Sequence, residues 1–343
     1  MSQAVVVGSL VGGTLALLVP WVVSMVLRGR HPAVRHTLWR LGLIVFWLVP
    51  IAALTAHLVG VTQPVVVPAH RLSEEVPNFS SLETRAVRLP PLLLASFTWS
   101  RGGTPYGAIP IGLGILIALW VTVGVMVWLV RRRGEAALWR VLRRAEPCED
   151  PDVLTLAESV HAELGMVGGV WVKMSPDACI PFALANLEHR WIVLPADFDP
   201  QAPGAASVLA HEMTHLQRGD PLTDRLARLT STLAWWHPLV HLAGRHLRRT
   251  AEEAADDEAL SLASSPDGYA AELLRYAEQA VGADRHAASY RGGILSARVR
   301  RILAAGVRRA TPLSTASMLL TFAGLAAVCI AAGVHDFSTP GYS

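Results

Sequence analysis

Apolar and polar positions fall along this chain in long blocks. Residues 4–27, 41–61, 107–130 and 313–333 contain no Asp, Glu, Lys or Arg. A helix crosses about 30 Å of hydrocarbon with about 20 apolar residues, so each block predicts a membrane span. The first block makes a poor secretory signal. It lacks a basic start, its apolar stretch is too long, and no small-residue cleavage site stands out. Pro20, Pro50 and Pro110 predict kinks, which a membrane tolerates where neighbours re-satisfy the freed carbonyls. The connector 62–106 is rich in Pro and Ser and reads as a loosely structured loop, with a short amphipathic piece at 89–97.

The arginines set an orientation. Arg28, Arg30, Arg35 and Arg40 follow the first span; Arg131, Arg132, Arg133, Arg140, Arg143 and Arg144 follow the third. Arg300, Arg301, Arg308 and Arg309 precede the fourth. Between spans two and three, Arg71, Arg85, Arg88 and Arg101 are nearly offset by Glu74, Glu75 and Glu83. Positive charge stays on the cytosolic side. The expectation is an outer N-terminus, an outer loop 62–106, a cytosolic insert 131–312, and a C-terminus outside after the fourth span.

Composition agrees. Across 343 residues, 52% are hydrophobic and 17% are charged, against about 25% charged in an average soluble domain. That excludes a disordered tail and suits a membrane portion plus one soluble domain. The net charge of +3 does not predict direct nucleic-acid binding, because Lys173 is the only lysine and the arginines sit beside apolar runs. Cys148, Cys179 and Cys329 have no paired spacing, so three free thiols are expected.

Inside the insert the period shortens. Residues 153–164 have helical spacing, while 169–174, 182–187 and 190–194 are β-type runs separated by turn residues, which predicts a small antiparallel sheet. The chemistry follows in Val208-Leu209-Ala210-His211-Glu212-Met213-Thr214-His215. In H-E-x-x-H on a helix, residues i and i+4 share a face, so His211 and His215 can reach one metal from consecutive turns. Two imidazoles and a carboxylate suit Zn²⁺ and leave a fourth position for water. Glu212, about 100° round the helix, can serve that water as general base.

Gly219 predicts the helix end, and Asp220-Pro221 reads as the N-cap and first position of a second helix. That helix breaks around His237-Pro238, and a third, 239–262, carries Glu252 and Asp256 four residues apart. The acidic group Glu252, Glu253, Asp256, Asp257 and Glu258 also suits a solvated face. The alanines at 251, 254, 255 and 259 argue instead for close packing against another helix.

At these residues the chain resembles the BlaR/MecR-type membrane metallopeptidases, the antirepressor peptidases. The resemblance rests on His211-Glu212-x-x-His215-Leu-x-Arg218-Gly-Asp220, Trp236-His237-Pro238-Leu239-Val240 and Glu252-x-x-x-Asp256-Asp257-x-x-Leu260. Pro181-Phe182, Ile192-Val193-Leu194-Pro195 and the arginine-bearing segment 295–303 extend it to nearly the whole chain. It implies His211, His215 and Glu252 as zinc ligands, Glu212 as the catalytic residue, and Asp256 as an outer carboxylate holding a ligand histidine. Glu253 is the competing ligand. Where the family often has Cys, this chain has Ala255, which is no ligand position.

The expected fold is mainly α. Four transmembrane helices carry a cytosolic α+β gluzincin-like zinc metallopeptidase domain, a small antiparallel sheet plus metal-binding helices, between spans three and four. The expected function is that of a plasma-membrane zinc endopeptidase. Its implied substrate is a cytosolic transcriptional repressor of the BlaI/MecI type, with self-cleavage a further outcome. Two alternatives stand beside it: an HtpX/Ste24-type quality-control protease, and a non-catalytic membrane sensor using zinc structurally. The family's β-lactam sensing is not expected to carry over. It needs a Ser-x-x-Lys site in an outer domain, and Lys173 lies in the insert.

Among other residues, His161, His189, His237, His241 and His246 read as packing or surface groups. Tyr269, Arg245 and Arg248 are candidates to stabilise an oxyanion. The strand at 182–187 offers an edge for substrate backbone.

Overall fold

The second and third apolar blocks become helices longer than themselves. A computed structural model describes residues 3–27, 32–59, 111–263, 265–283, 296–304, 323–324 and 326–329. Helices α1 (Gln3–Val26), α2 (Pro32–Val59) and α3 (Ile111–Arg144) are long and apolar enough to cross a membrane. α2 starts well before its apolar block and takes Arg35 and Arg40 into its opening turns. α3 runs on to Arg144, through the basic stretch expected to open the insert. The connector 62–106 with its 89–97 piece, and Pro110, lie outside the described residues. So does most of the fourth block, but Ala326 and Cys329 pack with Ala16, Val45 and Val49 of α1 and α2.

α1 and α2 approach closely. A Cβ on Gly42 would meet the Ala16 carbonyl oxygen at 2.6 Å, so only glycine lets the two backbones come this near. α3 is different. Ile115, Leu116, Leu119, Val125 and Met126 are all exposed, a pattern that suits a helix long and apolar enough to cross a membrane.

Past α3 the chain forms β1 (Glu146–Pro147), α4 (Pro151–Glu163), β2 (Trp171–Ser175), β3 (Phe182–Ala185) and β4 (Arg190–Pro195). Asp150 caps α4, accepting from the amides of Asp152 and Val153, with Pro151 in the first turn. The strand order is β1-β2-β4-β3. The expected antiparallel sheet is therefore corrected to a mixed one: β3 pairs β4 antiparallel, but β2 pairs β4 in parallel, Val172 opposite Ile192. The reason lies in β4 itself. Ile192, Val193 and Leu194 are fully buried in succession, and a continuous apolar run belongs in a central strand covered on both faces. β4 accordingly enters between β2 and β3, leaving β3 at an edge.

Four helices follow: α5 (Ala205–Arg218), α6 (Asp220–Leu233), α7 (Pro238–Ser261) and α8 (Pro266–Ala283). A further helical segment spans 296–303. Two apolar cores result. In one, Ile192 and Leu194 of β4, Leu209 and Met213 of α5, Tyr269 of α8 and Ile302 pack together. In the other, Leu17 of α1 and Trp39 and Leu43 of α2 pack against Ala227 of α6 and Val240, Ala243 and Leu247 of α7.

The second core shows where the α6–α7 hairpin goes. Trp47 Nε1 of α2 donates to Thr230 Oγ1 at 2.9 Å, and Trp235 Nε1 donates to the Trp120 carbonyl of α3 at 3.3 Å. At the tip, His237 Nε2 lies 3.2 Å from Thr14 Oγ1, with its ring edge-on to Phe46. Thr14 sits twelve residues before the end of α1 at Val26, about 18 Å along the axis at 1.5 Å per residue. The hairpin thus runs alongside the apolar helices for about half their length.

Candidate metal centre

α5 buries Val208, Leu209, Met213 and Leu216 in the first core and turns His211 and His215 to its other side. Their Nε2 atoms lie 3.1 Å apart. α5 ends where the sequence predicts. Gly219 adopts φ +70°, a left-handed conformation that costs glycine little, and its amide returns to the last turn.

α7 returns from the hairpin carrying Glu252. Its Oε2 is 3.6 Å from His211 Nε2 and its Oε1 is 3.6 Å from His215 Nε2. One donor atom from each of the three residues lies within 4.8 Å of the others. Glu253 points elsewhere, to Arg35 of α2 and to Arg249. Between the two adjacent glutamates, the fold brings Glu252 to the histidines.

Each imidazole is held from behind by a different carboxylate. His211 Nδ1 is 3.2 Å from Asp256 Oδ1 and 3.0 Å from the Tyr269 hydroxyl, whose proton goes to Asp256 at 2.8 Å. His215 Nδ1 is 2.8 Å from Asp220 Oδ2. A carboxylate on Nδ1 fixes the tautomer that leaves the Nε2 lone pair free, and raises its basicity as a ligand. Arg298, from segment 296–303, donates to Asp256 through Nε at 3.0 Å and Nη2 at 2.7 Å. Its Nη1 reaches Glu252 Oε2 at 2.8 Å.

The charges follow from burial and these partners. Burial alone would raise the Asp256 carboxyl, but the hydrogen bond with His211 and the Arg298 guanidinium hold it well below the usual range. Burial likewise pushes on Asp220, and the hydrogen bond with His215 brings it below its ordinary value. Glu212 goes the other way: burial pushes its carboxyl up, the direction expected of a group that must accept and return a proton near neutral pH.

Some readings of single residues change. Asp220 is the first residue of α6 rather than its N-cap, a position held by Gly219, and its carboxylate serves His215 instead. Tyr269 is fully buried on the Nδ1 side of His211, so it supports the ligand and does not face an oxyanion. Arg248 pairs with Asp224 at 3.4 Å, and Arg245 is exposed on α7. Three of the other candidate histidines contact other groups. His161 meets the Gly168 carbonyl, His241 the Trp235 carbonyl, and His246 stacks on Trp39. Sequence reasoning missed Arg298, which stands beside Arg300 and Arg301 in a stretch whose charge suggests only a membrane flank.

Two imidazole nitrogens and one carboxylate form a donor set that could hold a metal ion and suits zinc. Its backing by buried carboxylates is what such ligands require. The sequence profile of the family described as BlaR1 peptidase M56 matches residues 4–302. The chain belongs to that family. The match runs from α1 through Arg298 and takes in every residue of the cluster. Membership in this family of membrane metallopeptidases implies a metal cofactor, commonly zinc, and a peptide or protein substrate. No curated protein matches the chain.

Proposed function

We propose that this protein is an integral membrane zinc endopeptidase that carries its protease half on the cytosolic side and signals by cutting a cytosolic protein, a BlaI/MecI-like transcriptional repressor. One observation carries the reading: His211, His215 and Glu252 converge from two helices with Glu212 beside them. His211, His215 and Glu252 would hold zinc, while Asp256 and Asp220 keep the two rings turned. Bound there, zinc would supply Lewis acidity to the scissile carbonyl. Glu212 takes the proton from the attacking water and returns it to the leaving amine nitrogen. β3, an edge strand beside α5, can pair with an extended substrate backbone.

The arginines at the starts of α2 and after the apolar part of α3 support the cytosolic placement. The family match favours this reading over an HtpX/Ste24-type protease.

Glu212→Ala tests the mechanism. The variant keeps its zinc and loses cleavage by about 10²- to 10⁴-fold, the span general-base catalysis usually covers. Zinc analysis and a peptide-cleavage assay on the purified protein read both quantities. A Glu212→Ala protein cutting at the parent rate removes the mechanism, and a parent that binds zinc without cutting peptides is a structural-zinc sensor. The same variant expressed in its host traps the substrate. A retained repressor supports the signalling role, and retained damaged membrane proteins favour quality control.

A further inference from the structure

The basic end of α2 touches Asp220 and Glu253, the neighbours of the metal cluster, through polar side chains buried at its junction with α6 and α7. Arg35, His36, Trp39 and Arg40 occupy one face of the helix at spacings of one, four and five. His36 Nε2 lies 3.3 Å from Asp220 Oδ1, the oxygen opposite the one that meets His215 Nδ1 at 2.8 Å. Both side chains are enclosed: His36 is 4% and Asp220 8% exposed. Asp220 Oδ1 is buried and makes no hydrogen bond; the His36 imidazole at 3.3 Å and the Arg218 guanidinium at 3.8 Å lie beside it. Arg35, also buried, pairs with Glu253, the neighbour of Glu252. Trp39 stacks on His246 of α7 at 5.2 Å, and Arg40 Nη1 donates to the Arg218 carbonyl at the end of α5.

An Asp carboxylate that orients a ligand imidazole needs its second oxygen occupied, or it can rotate away. A buried oxygen left without a donor is costly. His36 is the nearer of the two neighbours, and a small turn of its ring would bring an N–H onto that oxygen. Arg35 does the equivalent on the other side: by fixing Glu253 it fixes the turn of α7 that presents Glu252.

We propose that α2 is a positioning element for the metal cluster, with His36 holding Asp220 against His215 and Arg35 holding the turn that carries Glu252. The inference rests on the reading of His211, His215 and Glu252 as the zinc ligands. It gives an apolar helix a direct mechanical route to two of the three ligands, with no intervening loop. A shift of α2 by the length of one hydrogen bond changes how His215 and Glu252 face each other. His36 and Arg35 touch no substrate, so they are positioning residues.

The test uses the full-length protein in lipid nanodiscs and a readout that does not depend on turnover. Zinc affinity is measured by competition with a chromophoric chelator, and Co²⁺ is substituted to record its ligand-field spectrum. His36→Leu fills the space without a donor, and His36→Gln restores an N–H. In His36→Leu, zinc affinity drops about 10- to 100-fold, the range seen when an outer partner of a ligand histidine is lost, and the cobalt spectrum shifts. His36→Gln recovers to within about threefold. Arg35→Gln lowers affinity in the same direction.

A His36→Leu protein with parent affinity and spectrum overturns the proposal. So does a Gln variant as weak as the Leu variant, since packing alone would then explain both. Where His36→Leu fails to accumulate, His36→Asn makes the same comparison, because its amide is too short to reach. His211→Ala is the control for the underlying reading. If it retains zinc at parent affinity, the ligand assignment is wrong. If it loses zinc while His36→Leu does not, the assignment stands and the role of α2 falls.

Discussion

His211 and His215 sit one turn apart on the same helix and present the same atom to the same point, yet what stands behind them differs. His211 is backed by Asp256, Tyr269 and Arg298, all from the C-terminal helices that close the first core. That carboxylate is satisfied on both oxygens by an arginine fork and a tyrosine. His215 is backed by Asp220 alone among acids, and Asp220 looks toward α2. One histidine therefore belongs to a self-contained polar knot, and the other leans on an apolar helix far away in sequence. A site built this way has a fixed half and an adjustable half.

The largest effect should come from the point where both halves meet. His211→Ala removes a ligand, and zinc binding, measured by metal analysis after dialysis, falls below one equivalent with cleavage lost. Chelation of the parent does the same reversibly, and added zinc restores activity. The fixed half should break next. Asp256→Asn leaves Arg298 buried with only Glu252 for a charged partner, and breaking a buried pair costs about 3–5 kcal/mol. Thermal melting of the metal-free protein should drop clearly.

Asp220→Asn sharpens the contrast. Its zinc affinity should fall about 10- to 100-fold, but melting of the metal-free protein should change less than for Asp256→Asn, since no arginine fork depends on it. Equal melting losses in the two variants would erase the distinction between the halves. The smallest effect belongs to the joint. Gly219→Ala forces a Cβ into φ +70°, costing about 1–2 kcal/mol, and should lower the melting temperature by a few degrees with zinc binding retained.

The fixed half was the more legible in sequence. H-E-x-x-H, the glycine after it, and Glu252 with Asp256 at helical spacing are local patterns, and helix geometry converts each into a place. What the sequence hid was non-local. Arg298 lies in an arginine-rich stretch that membrane flanking explains well enough, so nothing marked it as the partner of a buried carboxylate. Asp220 stands where a helix cap is expected, and a cap is the commoner use of Asp before Pro. His36 carries no signal at all, because its partner is nearly two hundred residues away. The sheet was misjudged for a related reason. Turn residues between the short runs suggested hairpins, while the unbroken apolar run in β4 belongs to a central strand with a parallel neighbour.

The path of the chain from His215 to Glu252 bears on when this protein can first act. It leaves the metal helix, descends beside α1 and α2 as far as Thr14, and climbs back with the third ligand. During synthesis, the cavity that receives Ala227, Val240 and Leu247 exists only after α1 and α2 are seated together. Glu252 would therefore reach the two histidines only once the two N-terminal helices are seated together.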